Sequence, residues 1–330
     1  DHNNIYTSSH DTMSKGRNIL SSGNLLIARQ PKSANLYWLF SMEKHQTQFN
    51  SKCHYYVVDI SKNGGKGEVI SSGVLPGIYA SKGMSICDHA NGVDKWLIFK
   101  LDTQEVFEAI LLAKNGIQVA NTIQSAFNGA RPQSQLFLKS SPNSQFLSAV
   151  YRYPRNEVLI YHFNRTSGKL FSKIYSESNP VAGNEILYSG FTPNSKIALV
   201  ARRNKLLAYD LNSLDSATIL LTELLVDSNP RVGDDMLDMQ IGLDGHLYFI
   251  NGTYEHQRSK KLSRILCPDN IYQNITIEDT IIGPLGQVLG VQLPTLNQTL
   301  YVNTHKLQAQ SLGDTVLCQG DSTTLTAYGA

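Results

Sequence analysis

Residues 192–200 (TPNSKIALV) place a turn of proline, asparagine and serine directly before a short apolar run, and this unit recurs along the chain. Residues 141–147 (SPNSQFL) have the same form, and residues 242–249 (GLDGHLYF) are a third copy. The copies begin at positions 141, 192 and 242, which are 51 and 50 residues apart. Repeats of about 40 to 50 residues, each opening on a turn and an apolar strand, are typical of β-propeller blades.

Weaker copies of the turn extend the repeat toward both ends of the chain, at 31–38, 90–97 and 294–301. Second apolar runs follow most turns, at 55–60, 106–112, 158–163 and 206–211. Only residues 219–226 fit a short helix as well as a strand. A single sheet cannot bury both of its faces, so such units must stack on one another. We therefore predict an all-β fold: a β-propeller of six or seven blades, of which the first can be incomplete.

The end of the chain departs from the repeat. Residues 313–327 lack the blade pattern and predict two short strands around a turn. We therefore expect a propeller over residues 1–311 and the start of a small β-sandwich domain over residues 312–330.

Composition excludes several classes of function. The chain has 330 residues, with 29 Lys and Arg against 27 Asp and Glu, so its net charge is +2. Proteins that bind nucleic acids carry a clustered basic surface, which this balance does not favour. The short basic runs at 202–203 and 258–264 are typical of solvated loops. Apolar stretches are far shorter than the roughly 18 residues of a membrane span. The sequence thus predicts neither nucleic-acid binding nor a membrane-spanning segment.

The four cysteines are Cys53, Cys87, Cys267 and Cys318, and none belongs to a CxxC pair. A zinc site built from them is therefore not predicted. Cys53 and Cys87 can form a disulfide if their strands are neighbours, or can remain as buried free thiols. The sequence leaves both alternatives open.

His89, Asp94 and Trp96 are the strongest candidates for chemistry. A histidine near an aspartate resembles a general base with its orienting carboxylate. The same residues also fit a structural turn, in which His89 and Asp94 hold the loop and Trp96 packs between blades. We favour the turn, because neither a GxSxG nor an HExxH motif occurs in the chain. No catalytic residue is predicted.

Asp234, Asp235 and Asp238 form an acidic cluster before a predicted strand. Three converging carboxylates can bind Ca²⁺, although this spacing is not that of an EF-hand loop. A solvated loop is the preferred interpretation, with calcium as the weaker alternative and no other cofactor expected.

Tyrosines are frequent in the predicted strands and loops, and they suggest a binding surface. Their amphipathic rings suit sugar faces and protein partners alike. Alternation along a strand should bury about half of them. The candidates are Tyr55, Tyr56, Tyr151, Tyr153 and Tyr161.

Two continuous segments resemble a known family. Residues 58–69 (VDISKNGGKGEV) are similar to a "VDMSLNGGxGDV" stretch, and residues 89–96 (HANGVDKW) are similar to "HANGxDxW". His10, Met13 and Gly16 match "NHxxMxxG", although Ser9 replaces the asparagine. These stretches, with a weaker match of 26–31 to "LIVPxP", resemble the WD40-like propellers of type IX secretion substrates, the gliding-motility-associated proteins with a C-terminal sorting domain.

The resemblance carries expectations about structure and location. It implies export by the type IX secretion machinery and a place outside the cell, attached to the outer membrane or released. It also implies that 317–327 open an Ig-like module and that this chain is an internal piece of a longer protein. The motif residues that it marks as structural are Asp59, Asn63, Gly64, Gly65, His89, Asn91, Gly92, Asp94 and Trp96.

The resemblance to type IX secretion substrates also suggests a covalent modification. An aspartate followed by Ser or Thr and then by an aliphatic residue, Met or Thr resembles the O-glycosylation acceptor of bacteria that use type IX secretion. The matching positions are Thr12, Ser216, Thr280, Thr315 and Ser322.

These observations favour a non-enzymatic secreted or cell-surface propeller that serves as an adhesion, display or binding platform for surface proteins or polysaccharide. Two alternatives stay open. One is a structural subunit of a surface assembly or filament. The other is a hydrolase or lyase with its active site at the mouth of the propeller channel.

Overall fold

A computed structural model describes residues 4–7, 9–17, 25–43, 51–101, 105–127, 136–152, 155–178, 185–203, 205–228, 235–253, 258–282 and 295–296. These residues form strands, one short α-helix and two short 3-10 turns, Asn63–Gly65 and Pro268–Asn270. The strands are β1 (Asn4–Tyr6), β2 (Thr12–Arg17), β3 (Leu25–Arg29), β4 (Leu36–Met42), β5 (Ser51–Asp59), β6 (Glu68–Asp88), β7 (Lys95–Leu101), β8 (Val106–Ala113), β9 (Gly116–Ala126), β10 (Leu136–Ser140), β11 (Phe146–Tyr151), β12 (Glu157–Asn164), β13 (Lys169–Ser178), β14 (Ile186–Phe191), β15 (Ile197–Arg202), β16 (Lys205–Asp210), β17 (Leu224–Ser228), β18 (Asp235–Ile241), β19 (Leu247–Thr253), β20 (Arg258–Leu266), β21 (Thr276–Ile282) and β22 (Thr295–Leu296); the helix is α1 (Ser216–Leu221).

The chain divides into two compact units. The first contains β1 to β13 and β22, and the second contains residues 141–143 and the elements from β14 to β21. In the second unit, β14 to β17 and β18 to β21 are two four-stranded antiparallel sheets in chain order. Each is the meander of a propeller blade.

The first unit contains three such blades, two of which share a strand. Strands β10 to β13 form one four-stranded sheet, and β3 to β9 belong to a larger one. The 21-residue strand β6 pairs with β5 over Glu68 to Ala80 and with β7 over Ala80 to Asp88. Blade 1 is therefore β3, β4, β5 and the first part of β6, and blade 2 is the second part of β6 with β7, β8 and β9. Blades 3, 4 and 5 are β10 to β13, β14 to β17 and β18 to β21.

The predicted all-β propeller architecture is confirmed, with a different blade count. Five blades are present among the described residues, against the six or seven predicted. The predicted copy at 294–301 contributes β22, which pairs in parallel with β3. Residues 312–330, the predicted Ig-like start, lie outside the described residues, so both domain boundaries remain predictions. Residues 219–226 contain both alternatives, since α1 ends at Leu221 and β17 begins at Leu224.

Stacking of blades in the first unit buries both faces of the middle strands. Along β7, Leu97 and Phe99 join one apolar cluster with residues of blade 1, while Trp96 and Ile98 join another with residues of blade 3. Side chains alternate between the two faces of a strand, so residues 96–99 are all buried, on one face or the other. This is why the strands read as continuous apolar runs rather than alternating ones.

The repeated turns share one strained position. Ser144, Ser195 and Gly245 are the fourth residues of the three turns, with φ of 57°, 63° and 79°. A serine with positive φ is uncommon. Both hydroxyls are buried and accept a main-chain hydrogen bond, from Asp88 N to Ser144 Oγ at 2.9 Å and from Asn143 N to Ser195 Oγ at 3.0 Å. The hydroxyl explains why serine stands where glycine would fit more easily.

We expect Ser144→Ala to lower the free energy of unfolding by about 1–3 kcal/mol, because the amide of Asp88 loses its acceptor in a buried place. Ser144→Gly loses the same hydrogen bond but relieves a left-handed conformation that costs roughly 1–2 kcal/mol. Urea unfolding should therefore rank wild type first, Ser144→Gly second and Ser144→Ala last. Equal stability of the two variants would contradict the strain at this position.

Cys53 and Cys87 are free thiols, so the possible disulfide between them is absent. They lie in different apolar clusters, Cys53 beside Met84 and Cys87 beside Trp96. Burial raises the pKa of Cys53 to about 12 and raises that of Cys87 further. Each thiol therefore stays protonated near neutral pH, and the thiolate is the reactive form.

We expect neither thiol to react with an aromatic disulfide reagent at pH 8 in the folded protein, because both are protonated and buried. Both should react after denaturation in guanidinium chloride. Thiol titration with and without denaturant, combined with mass mapping of the labelled peptides, measures this. Labelling of Cys53 or Cys87 at native-state rates close to those of the denatured chain would contradict the packing.

Candidate functional site

The segment from His89 to Trp96 forms the turn between β6 and β7. Asn91 Oδ1 accepts from the main-chain N–H of Val93 at 3.0 Å and of Asp94 at 2.9 Å, and Asn91 Nδ2 donates to Asp94 Oδ2 at 2.8 Å. His89 Nδ1 accepts from Asn91 N at 3.0 Å, and Gly92 has φ of 70°. The Asp94 carboxylate thus contacts an amide and not the imidazole, so the pair does not form a base with its orienting carboxylate.

Trp96 links this turn to the one between β12 and β13. Trp96 Nε1 donates to Arg165 O at 2.8 Å, and Arg165 Nε donates back to Asp88 O at 3.2 Å. Gly168, with φ of 71°, lies under the indole: a Cβ there would be 2.8 Å from Trp96 Cζ3. These contacts connect blade 2 to blade 3 and leave the indole no access to a ligand.

We expect Gly168→Ala to destabilise the protein by about 2–4 kcal/mol, because the new methyl group adds a clash with Trp96 to the cost of a positive φ. Gly92→Ala is the matched control: its φ is 70° and a Cβ there has nothing within 4 Å. That variant should lose only about 1–2 kcal/mol. Thermal unfolding compares the two, and similar losses would contradict the proposed contact.

The second marked motif is the turn after β5. Asp59 Oδ1 accepts from Ser61 N at 2.9 Å and from Ser61 Oγ at 2.6 Å, and these hydrogen bonds lower the pKa of Asp59. Asn63, Gly64 and Gly65 have φ of 56°, 66° and 84° in a short 3-10 turn. The residues come together as a tight turn held by its own hydrogen bonds.

The acidic cluster is only partly described. Asp234 lies outside the described residues, and β18 begins at Asp235, so the predicted position before the strand is wrong for Asp235 and Asp238. Asp238 is buried, and its Oδ1 accepts from Met239 N at 2.7 Å. Within the described part of the chain, no three His, Cys, Asp or Glu side chains are placed to hold a metal ion. Calcium binding remains untested.

Residues 258–264 and Arg202 are strand residues, so the predicted loops are wrong there, whereas Arg203 lies in the turn after β15. Residues 258–264 lie in β20, where Arg264 Nε donates to Glu278 Oε2 at 2.6 Å. Arg202 ends β15, and Arg203 pairs with Glu185 at 3.7 Å. No helix among the described residues is long and apolar enough to cross a membrane.

Two of the candidate tyrosines are buried around a carboxylate that the sequence did not single out. Tyr151 Oη donates to Glu105 Oε1 at 2.7 Å, and Tyr161 Oη donates to the same oxygen at 3.0 Å. The guanidinium of Arg155 lies 4.5 Å from the centre of the Tyr151 ring. Burial, then Tyr161 and Glu105, raise the pKa of Tyr151 well above its usual range. Within this cluster the tyrosines serve packing and hydrogen bonding.

Tyr55, in contrast, lies in an open groove of about 440 Å³ in the first unit. Tyr56 is half-buried and Tyr153 is outside the described residues. The groove lies between the sheet of blade 1 and the hairpin of β8 and β9. Its lining comprises Gln30, Trp38, Tyr55, Val57, Ser71, Val74, Leu75, Pro76, Lys114, Asn115, Gly116, Ile117 and Val119.

Local packing shapes the groove. The Tyr55 ring lies across Gly73 of the neighbouring strand, so that a Cβ at Gly73 would be 2.8 Å from Tyr55 Oη. Gln30 Nε2 donates to Lys114 O at 3.0 Å and ties the hairpin tip to blade 1. Glycine at position 73 thus makes room for an aromatic ring, and sequence reasoning could not detect this contact because it depends on strand register.

Three of the five candidate glycosylation sites lie among the described residues, each in a different element. Thr12 is half-buried in β2, and Ser216 is the first residue of α1, also half-buried. Thr280 lies in β21. Thr315 and Ser322 lie outside the described residues. All five remain predictions.

Comparison with known proteins gives no family. No protein-family profile matches the chain, and no curated protein is significantly similar to it. Among solved structures, a Lactobacillus plantarum protein is similar at 15% identity and TM-score 0.48, over 83% of this chain and 75% of its own.

A candidate 6-phosphogluconolactonase from Bacteroides fragilis is similar at 13% identity and TM-score 0.47, over 78% of this chain and 70% of its own. Sqt1 from Chaetomium thermophilum is similar at 13% identity and TM-score 0.45, over 80% of this chain and 63% of its own. At these values the similarities carry no activity or partner over to this chain.

Proposed function

We propose that this chain is a non-enzymatic binding module of a protein that is exported by type IX secretion and placed at the cell surface or released. The observation that carries the proposal is the groove beside Tyr55. It is open, has an apolar and aromatic floor, and lies on a rigid sheet, which is the usual setting of a recognition site. Its volume of about 440 Å³ is in the range of small-ligand sites.

The arrangement of ionisable groups supports binding rather than catalysis. Catalysis requires a nucleophile or base within reach of a substrate. Glu105 is buried and accepts hydrogen bonds from two tyrosines. His89 and Asp94 both serve the turn that contains them. Among the described residues of the lining, Lys114 and Tyr55 are the only ionisable ones.

Two features support export. Residues 58–69 and 89–96 resemble segments of propellers that use type IX secretion. Cys267, which follows β20, is disulfide-bonded, and structural disulfides persist mainly in oxidising compartments outside the cytosol.

Binding of the fluorescently labelled chain to cells of the source organism tests the proposal. We expect saturable binding by wild type and a loss of at least about tenfold for Tyr55→Ala, which removes the ring from the groove. Ser71→Tyr, which fills the entrance from an exposed position, should give the same loss while leaving Tyr55 in place.

Phe171→Ala is the matched control, because Phe171 is 59% exposed on blade 3 and belongs to no part of the groove. It should bind as wild type does. Absence of saturable binding, or equal binding by all four proteins, would overturn the groove as the recognition surface. Concentration-dependent self-assembly blocked by Ser71→Tyr would instead favour a structural subunit.

A further inference from the structure

We infer that the groove beside Tyr55 binds an acidic glycan, a chain of sugars that carry carboxylates. This inference rests on the proposed function and adds the chemical class of the ligand. Three properties of the lining lead to it: the aromatic face of Tyr55, the polar groups at the rim and the sign of the charge.

The floor of the groove offers flat apolar surface. Tyr55 contributes an aromatic ring, and Val57 and Ile117 extend the apolar area beside it, above the buried Trp38. An aromatic ring is an amphipathic platform, whose face accepts apolar C–H groups while an edge carries a polar tip. One face of a pyranose ring presents such C–H groups, with hydroxyls around its edge. The floor therefore matches a sugar ring lying flat on Tyr55.

The rim offers side-chain hydrogen-bonding groups at the edge of this platform. Tyr55 Oη and Ser71 Oγ have no hydrogen-bond partner among the described residues. Asn115 Oδ1 accepts from Gln118 Nε2 at 3.2 Å, which leaves its own N–H groups for a ligand. Hydroxyl and amide groups of this kind donate to and accept from sugar hydroxyls.

The strands that carry the aromatic residues of the floor do not favour an extended peptide. A peptide that adds to a sheet needs a free strand edge. Strands β4 and β5, which carry Trp38 and Tyr55, are paired on both sides. These two strands therefore present side chains, and no free edge, to the groove.

The charge of the lining selects an anion. Among the described residues that line the groove, Lys114, at the tip of the hairpin between β8 and β9, is the only formally charged one, and none of them is Asp or Glu. Its ammonium forms no ion pair with any described residue. A ligand in the groove therefore meets one exposed positive charge, which favours a carboxylate on the sugar.

Titration calorimetry of the full chain with trigalacturonate, and with neutral galactotriose as its counterpart, tests the inference. We expect wild type to bind trigalacturonate about two- to fivefold more tightly at low salt, the usual contribution of an exposed ion pair. Added salt should remove this preference, because exposed charges are screened.

Three variants assign the effect. Lys114→Gln should lower the affinity for trigalacturonate to that for galactotriose, and Ser71→Tyr should abolish binding of both. Lys173→Gln, which removes an exposed lysine from β13 of blade 3, should behave as wild type. Equal affinity of wild type for the two trisaccharides, or no effect of Lys114→Gln, would overturn the acidic class.

The two proposals fail in distinguishable ways. If neither trisaccharide binds while the labelled chain still binds cells and Ser71→Tyr abolishes that binding, the glycan is wrong and a protein ligand takes its place in the same groove. If trisaccharide and cell binding are both absent, the proposed binding module fails as well. If trigalacturonate binds and Ser71→Tyr has no effect, the ligand occupies another surface and the groove is wrong.

Discussion

Burial of strands on both faces is the constraint on which the rest of this structure depends. In blade 2, alternate side chains of β7 enter two different apolar clusters. Burial of apolar surface stabilises a fold by about 25 cal/mol per Å². For the side chains of β7, this burial requires a neighbouring sheet on each face of blade 2. An isolated blade 2 would expose its side chains of both clusters to water. Blade 2 is therefore stable only between its two neighbours in the first unit.

Serine at a left-handed turn position joins segments that are far apart in the sequence. Ser144 and Ser195 accept main-chain hydrogen bonds from segments 56 and 52 residues away. The third turn has Gly245 at this position, which offers no hydroxyl. The main-chain amide of Asn194, in the second turn, donates to Asp269 Oδ1 at 2.9 Å. The contact is thus kept by a different acceptor where the hydroxyl is missing. The backbone strain of the serines accompanies this role.

Local sequence predicted the features that local chemistry decides. The turns around Ser144, Ser195 and Gly245 were recognisable because their residue types favour turns, and the following apolar runs matched strands. The fusion of blades 1 and 2 was not predictable, because residues 71–83 of β6 are rich in Ser and Gly and resemble a loop. The groove was missed because Tyr55 and Gly73 meet only through strand register, which no single segment encodes.

The continuous strand β6 has a consequence for how the first unit can come apart. Blades are usually separable modules, joined by a loop that a protease or an inserted domain can occupy. Here the covalent link between blades 1 and 2 is itself paired on both of its halves. A cut anywhere along it would remove an edge from one sheet or the other. We therefore expect blades 1 and 2 to unfold together as one cooperative unit, because neither sheet can lose β6 without the other being disrupted.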